Sequence, residues 1–128
     1  MLKEHAEKTE DMIDYAKSTV EEVRLFKIIP NIFIKDIINA IANAAKEITC
    51  SITLLNDNPQ AVEEHVVRAK KAENFIEHRY REALAELFNS TDVIFVLKYR
   101  EVYRHLSNAA DRCNEAANII SDIVVKTS

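Results

Sequence analysis

Residues 34–59 read IKDIINAIANAAKEITCSITLLNDNP, and this stretch combines a helical repeat with a stop signal. Its apolar residues recur every three or four positions, a spacing that places them on one face of an α-helix. They are Ile34, Ile37, Ile41, Ala44, Ile48, Ile52 and Leu55. The last four residues, NDNP, have turn chemistry, because Asn and Asp side chains bond to nearby backbone and Pro favours the first turn of a new helix. The stretch predicts one helix that ends near Leu55 and another that begins near Gln60.

A second apolar stripe runs along the same helix through Ile38, Ala42 and Ala45. A helix that is apolar on more than one face buries more than one face. We therefore expect this helix to lie at the centre of the fold or to face another subunit.

Helical repeats also occupy the segments on either side. The first helix covers residues 6–26 and stops before Pro30, because proline disfavours a helical residue ahead of it. The third covers residues 60–89. Their apolar positions are Ala6, Ile13, Ala16, Val20, Val23 and Phe26 in the first helix, and Val62, Val66, Ala69, Ile76, Tyr80, Ala83 and Leu87 in the third.

A fourth helix is expected over residues 93–126, with Ser90, Thr91 or Asp92 as its N-cap. Its apolar positions are Val102, Leu106, Ala109, Cys113, Ala116, Ile120 and Ile123. Four helices joined by short turns predict an all-α fold, an antiparallel bundle of four helices, with residues 1–128 as a single domain.

The composition excludes several classes of function. The 128 residues include no Gly, which argues against a P-loop and a dinucleotide-binding turn. The net charge of −4 argues against a nucleic-acid partner, because the phosphate backbone rewards clustered positive charge. Charged and polar residues interrupt every long apolar run, so the chain is not expected to be transmembrane. Cys50 and Cys113 lie at apolar helical positions and are expected to be buried thiols, which suits a reducing cytoplasm.

Three pairs of acidic residues spaced four apart each share one helix face. They are Glu10 with Asp14, Glu73 with Glu77, and Asp111 with Glu115. Glu73 is the most informative, because it lies in the apolar stripe between Ala69 and Ile76, where an unpaired carboxylate would be expensive to bury. Two interpretations stay open: a carboxylate site for iron, zinc, manganese or magnesium, or a solvated face with ion pairs to Arg79, Arg81 and Arg112.

The usual signatures of catalysis are missing. No His follows a Glu by three residues, as a ferritin-like di-iron oxidase requires, and the sequence has no His-Glu-x-x-His and no Cys-x-x-Cys. We therefore expect no catalytic residue and no enzyme activity. The four histidines are expected at the surface. Tyr80, Tyr99 and Tyr103 lie among apolar positions and are expected to be core residues.

Three segments resemble PhoU-like phosphate transport regulators. The longest is residues 98–126, KYREVYRHLSNAADRCNEAANIISDIVVK, which resembles the closing helix of that family, above all in DRCNE (111–115) and IVVK (123–126). Upstream, EDMID (10–14) with VRLF (23–26), and AENFIE (72–77) with ALAELF (83–88), resemble the other two acidic helices, in the same order.

The resemblance implies a helical bundle from a family with two related halves, of which this chain corresponds to the C-terminal part. It also implies an association with phosphate uptake and a metal cluster on (Glu/Asp)-x-x-x-Asp motifs. The metal ligands would be Glu10 and Asp14, Glu73 and Glu77, and Asp111, with Glu115 as a further carboxylate. Two positions depart from the motif: Glu77 stands in place of the usual Asp, and Ser107 in place of an acid four residues before Asp111.

The function implied is that of a regulator or accessory protein of phosphate transport. Its partner would be a phosphate transporter or sensor protein at the membrane surface, and its location the cytoplasm, peripheral to the inner face of the membrane. A half-size member would expose a surface that the missing half covers, so a homo-oligomer is expected. The alternative is a metal-free oligomeric adaptor or assembly module, suggested by Ser107.

Overall fold

A computed structural model describes the backbone of residues 2–127 and the side chains of residues 7, 10, 11, 14, 15 and 17–126. Its four helices are α1 (Leu2–Leu25), α2 (Ile32–Leu54), α3 (Pro59–Leu87) and α4 (Val93–Thr127). No strand occurs between residues 2 and 127. The predicted all-α four-helix bundle is confirmed, and each predicted helix is present.

The α1–α2 turn is a Schellman motif built without glycine. The Ile28 N–H donates to the Val23 carbonyl at 3.0 Å, and the Lys27 N–H donates to the Arg24 carbonyl at 3.1 Å. Val23 and Ile28, the two residues that make the apolar contact of such a motif, are both buried. Lys27 takes the left-handed conformation with φ of 53°, a position where glycine is usual. The chain therefore accepts local backbone strain at this turn.

Short polar side chains start the other three helices. Asn31 Oδ1 accepts a hydrogen bond from the Ile34 N–H at 2.9 Å, and Asn58 caps α3 with Pro59 in the first turn. At α4, Asp92 Oδ1 accepts from the Phe95 N–H at 3.2 Å. The cap predicted among residues 90–92 is therefore Asp92.

The core runs the length of the bundle between α2, α3 and α4. Its fully buried side chains include Ile34, Ile48, Ile76, Leu106 and Ile120. The apolar positions predicted for these three helices are buried or half-buried, except Ala42 on α2, which is exposed. Tyr99 and Tyr103 are buried core residues, as predicted.

The prediction for α1 is wrong in part. Val20 is 42% exposed and Phe26 is 37% exposed, whereas the polar residue Thr19 is 1% exposed. Thr19 is tolerated inside because its hydroxyl donates to the Tyr15 carbonyl at 2.9 Å, within its own helix. The predicted positions Ala6, Ile13 and Ala16 lie outside the described side chains.

Helix α2 contacts all three other helices, which confirms its central position. Its second apolar stripe is used only in part inside the chain, because Ile38 and Ala45 pack against the core whereas Ala42 is exposed. Over the described residues, α1 contacts α2 and α4 but not α3. Cys113 is buried as predicted, and Cys50 is only half-buried. None of the helices, searched over the described residues, is long and apolar enough to cross a membrane.

Candidate functional site

Helices α3 and α4 together carry an acidic group, here called the α3–α4 acidic face, made of Glu73, Glu77, Asp111 and Glu115. The pKa of Glu73 is raised above its ordinary value by partial burial, and then by the negative charges of Glu77 and Asp111. The pKa of Asp111 is also raised, first by partial burial and then by the charges of Glu77 and Glu115. These effects place four of the six predicted metal ligands in one electrostatic group.

The acidic face is continuous with the core. Cys113 lies two residues, about half a helical turn, from both Asp111 and Glu115 on α4. Burial, followed by the charge of Glu73, raises the pKa of its thiol to about 12. The charge of Glu73 thus acts on Cys113 of the opposite helix, and the charge of Asp111 on that helix acts on Glu73. One turn away, Glu77 is partly neutralised by an ion pair with Arg81 at 3.2 Å. The like charges are therefore only partly compensated.

Glu10 and Asp14 are exposed on α1. No hydrogen bond, ion pair or electrostatic effect among the described side chains joins either of them to Glu73 or Asp111. The nearest described link between this part of α1 and α4 is made by Tyr15, whose hydroxyl accepts from Asn108 Nδ2 at 3.1 Å and whose ring lies under the Arg112 guanidinium. The structure thus links the α3 and α4 motifs electrostatically, and no such link to the α1 motif occurs among the described side chains.

The tightest set of metal-ligating atoms lies elsewhere, between α1 and α4. Glu22, Glu101 and His105 each offer one ligand atom, and these atoms lie within 4.8 Å of one another. Among the described residues this is the only such set of three. Glu22 Oε2 contacts His105 Nδ1, and Glu101 Oε1 lies 3.4 Å from His105 Nε2. We call this set the α1–α4 triad.

Both nitrogens of the His105 ring therefore face carboxylates. A neutral imidazole donates from one nitrogen, whereas an imidazolium donates from both, so the protonated ring satisfies the two glutamates together. Arg104 brings a positive charge to this set, and its hydrogen bond to Glu101 is the main cause of the lowered pKa of that carboxyl group. The other oxygen of Glu22, Oε1, is buried without a hydrogen-bond partner. Imidazole with two carboxylates also suits zinc, iron or manganese.

The sequence patterns described above do not predict this triad. The signal that was available is Glu101 with His105, four residues apart on one face of α4. Glu22 carries no local signal, because it is 83 residues from His105 in the chain. The expectation that the histidines are surface residues is wrong for His105, whose side chain is 26% exposed, and for His65, which is 21% exposed and 2.5 Å from Glu47. His78 is exposed as expected, and His5 lies outside the described side chains.

The arginines named as ion-pair partners divide three ways. Arg81 pairs with Glu77, as expected. Arg79 instead bridges to α2, where it donates to Asp36 at 2.8 Å and lies over the Phe33 ring. Arg112 lies over the Tyr15 ring at 5.0 Å from its centroid. Of the three, only Arg81 therefore compensates the α3–α4 acidic face directly.

The chain is similar to the UPF0111 protein YkaA of Bacillus subtilis (strain 168), with 37% identity over 90 residues. The match covers 69% of this chain and 44% of that protein, so the chain spans less than half the length of this relative. No family model matches the chain, and no solved structure matches it.

Proposed function

We propose that this protein is a PhoU-like regulator or accessory protein of phosphate transport. It acts by binding a phosphate transporter or sensor protein in the cytoplasm, at the membrane surface, rather than by catalysis. The proposal is supported by the ordered motif resemblance to PhoU-like regulators. The single structural observation that carries it is the α3–α4 acidic face, where Glu73, Glu77, Asp111 and Glu115 form one group of like charges.

In this proposal the acidic face binds a divalent metal ion, which neutralises its like charges. Carboxylate oxygens suit iron, zinc, manganese or magnesium, and such an ion removes the repulsion that raises the pKa of Glu73 and of Asp111. Glutamate side chains are long enough to turn toward a shared ion from two neighbouring helices. The donor chemistry suits a cation, although no three of these four carboxylates have oxygens within 4.8 Å of one another in the structure. Binding therefore requires Glu73 and Asp111 to turn toward a shared ion as its central ligands, with Glu77 and Glu115 beside them. Glu10 and Asp14 would join only if α1 brought them closer.

Elemental analysis of untagged protein, purified without chelator, tests the metal site. The variant Glu73→Ala, Asp111→Ala removes one carboxylate from each helix of the acidic face. Its matched control is Glu63→Ala, Asp122→Ala, which removes one exposed carboxylate from each of the same helices. Stoichiometric metal that is lost only in the first variant supports the site.

A third variant, His105→Leu, separates the two candidate ligand sets. Metal that is lost in His105→Leu but kept in Glu73→Ala, Asp111→Ala belongs to the α1–α4 triad and contradicts the acidic face as its site. Metal that is absent from the wild-type protein contradicts both.

The regulatory role is tested by uptake of radiolabelled phosphate in the source cell. Deletion of the gene should change the uptake rate, and the wild-type chain and the Glu63→Ala, Asp122→Ala control should restore it. The Glu73→Ala, Asp111→Ala variant should not. An uptake rate that does not respond to deletion contradicts the proposal.

A metal-free adaptor or assembly module is the second candidate. The observation that favours it is Ser107, which removes one oxygen ligand from the motif on α4. Such a module would be a homo-oligomer without metal. Light scattering across a range of protein concentrations tests this alternative, since a strict monomer contradicts it.

A further inference from the structure

One end of the bundle collects most of the exposed apolar surface. Two loops meet there: the α1–α2 turn (residues 26–31) and the α3–α4 turn (residues 88–92). The described side chains include thirteen large apolar residues that are exposed, and nine of them belong to these loops or to the helix turns beside them. We call these nine the apolar end: Leu25, Phe26, Ile29, Ile32, Phe88, Val93, Ile94, Phe95 and Leu97. So strong a bias toward one end marks an interaction surface.

The two loops form one continuous surface. The Tyr99 hydroxyl donates to the Ile29 carbonyl at 2.8 Å and so ties α4 to the α1–α2 turn. A groove of about 270 Å³ lies between them, with Phe26, Lys27 and Ile29 on one side and Ile94 and Lys98 on the other. Among the apolar side chains that line this groove, Ile29 at 78% and Ile94 at 63% are the most exposed. Packing within the chain does not explain why these two residues are apolar.

Positive charge surrounds this apolar surface. Residues 24–35 and 84–100 contain five basic residues, all exposed, and two acidic residues, Glu86 and Asp92. The basic residues are Arg24, Lys27, Lys35, Lys98 and Arg100. The chain as a whole has a net charge of −4, so the rest of the molecule is strongly acidic. The protein is thus polarised, with an apolar and basic end on an acidic body.

We infer that the apolar end docks on an anionic lipid bilayer. Negative headgroups pair with the basic side chains while the apolar side chains enter the boundary between headgroups and acyl chains, which is the composition of known interfacial anchors. The same headgroups repel the acidic remainder of the molecule, so the bundle binds with its apolar end toward the bilayer. A second copy of this chain fits less well, because it would bring Lys27 and Lys98 of both copies together. The inference uses no residue of the acidic face or the triad, and it fails or holds independently of the proposed function.

Flotation with lipid vesicles tests the inference on the whole chain. The vesicles are phosphatidylcholine alone, or phosphatidylcholine mixed with phosphatidylglycerol. The wild-type protein should float with the anionic vesicles, and a smaller fraction should float at high salt. It should not float when the vesicles are phosphatidylcholine alone. Failure of the wild-type protein to float with anionic vesicles at low salt overturns the inference.

Two variants divide the surface into its charged and apolar parts. Lys27→Glu, Lys98→Glu should lower partitioning by at least about tenfold, since each basic residue near an anionic surface is worth about 1 kcal/mol. Ile29→Ser, Ile94→Ser should lower it while the salt dependence remains. The controls make the same changes far from this end: Lys46→Glu, Lys71→Glu for charge and Val67→Ser, Val125→Ser for apolar surface, all at exposed positions.

Circular dichroism confirms that each variant keeps its helices. Equal losses in the variants and their controls overturn the assignment to this end of the bundle. Oligomers that dissociate in Ile29→Ser, Ile94→Ser, together with wild-type protein that does not bind vesicles, also overturn it, because the occupant is then a second copy.

Discussion

Asn31 connects the start of α2 to the buried face of α4. Its Oδ1 accepts from the Ile34 N–H at 2.9 Å and so caps α2, while its Nδ2 donates to the Tyr103 hydroxyl at 2.7 Å. Tyr103 is 2% exposed, and burial raises the pKa of its hydroxyl, an effect that the hydrogen bond from Asn31 opposes. One side chain therefore fixes both the end of a helix and the position of that helix against its neighbour.

Substitution at this pair should separate the two roles. Tyr103→Phe leaves the cap in place and should lower the free energy of unfolding by about 1 kcal/mol, the usual net value of one hydrogen bond. Asn31→Ala removes the cap as well and leaves a buried hydroxyl without its donor, so it should cost about 2 kcal/mol. Urea denaturation measures both. Equal costs for the two variants would show that the cap contributes nothing.

The strained turn at Lys27 predicts a stabilising substitution. Lys27 has a φ of 53°, and a side chain in this region costs roughly 1 kcal/mol or more that glycine does not pay. Lys27→Gly should therefore raise the free energy of unfolding by about 0.5 to 1 kcal/mol. The control is Lys46→Gly, in the interior of α2, which should lower it by about 1 kcal/mol. A loss of stability in Lys27→Gly would contradict the assignment of strain to this residue.

The sequence predicted the helix ends closely because the signals there are local. Asn58 with Pro59, and Asp92, each act on backbone groups within three residues, so no knowledge of the fold is needed to see them. The buried face of α2 was equally clear, since Ile34, Ile37 and Ile41 are unambiguous apolar residues.

The prediction failed where burial depends on a distant partner. Thr19 can be buried because it bonds within its own helix, and Glu22 can be largely buried because His105 reaches it from α4. A prediction of the buried face from apolar residues alone passes over Thr19 and Glu22 and includes Val20, which is exposed. For the acidic face, spacing identified Glu73 and Asp111, and only the packing of α3 on α4 could show that their charges act on one another.

The α3–α4 acidic face predicts a stability that falls as pH rises. The ordinary pKa values are 4.5 for Glu73 and 3.8 for Asp111, and both are raised in the folded protein. The folded state therefore holds these protons more tightly than the unfolded chain, so their contribution is fully present below the ordinary values. This stabilising contribution is lost as the pH rises through the raised pKa values of the folded protein. Glu73→Gln, Asp111→Asn should remove this loss.

Thermal unfolding of the metal-free protein between pH 3 and pH 7 measures the effect. At neutral pH the variant should be more stable than the wild type by roughly 0.2 to 0.5 kcal/mol for each like-charge pair removed. The control Glu63→Gln, Asp122→Asn should not change the pH profile. Addition of Mn²⁺ or Zn²⁺ should stabilise the wild type and not the variant. A wild-type stability that rises over this pH range in step with the control, with no difference in the variant, would contradict the electrostatic coupling.

The α1–α4 triad predicts that His105 holds α1 in place. Glu22 is 14% exposed, its Oε1 has no hydrogen-bond partner, and its Oε2 has only the His105 ring. His105→Leu leaves this carboxylate largely buried and without its hydrogen-bond partner, while the charge of Arg104 still acts on it. The variant should lower the free energy of unfolding by about 1 to 3 kcal/mol. Hydrogen exchange should show the loss first in α1, since α1 packs on α4 and α2 alone over its described length.

A double-mutant cycle shows whether the cost comes from the pair. Glu22→Leu, His105→Leu removes both partners and should recover most of the stability that His105→Leu loses, because no charge is left buried. His78→Leu, which changes an exposed histidine on α3, should have an effect below about 0.5 kcal/mol. Additive effects of the Glu22 and His105 substitutions would mean that the contact between the two side chains contributes no free energy of its own. A coupling free energy of about 1 kcal/mol or more would show that the contact between Glu22 and His105 stabilises the packing of α1 on the bundle.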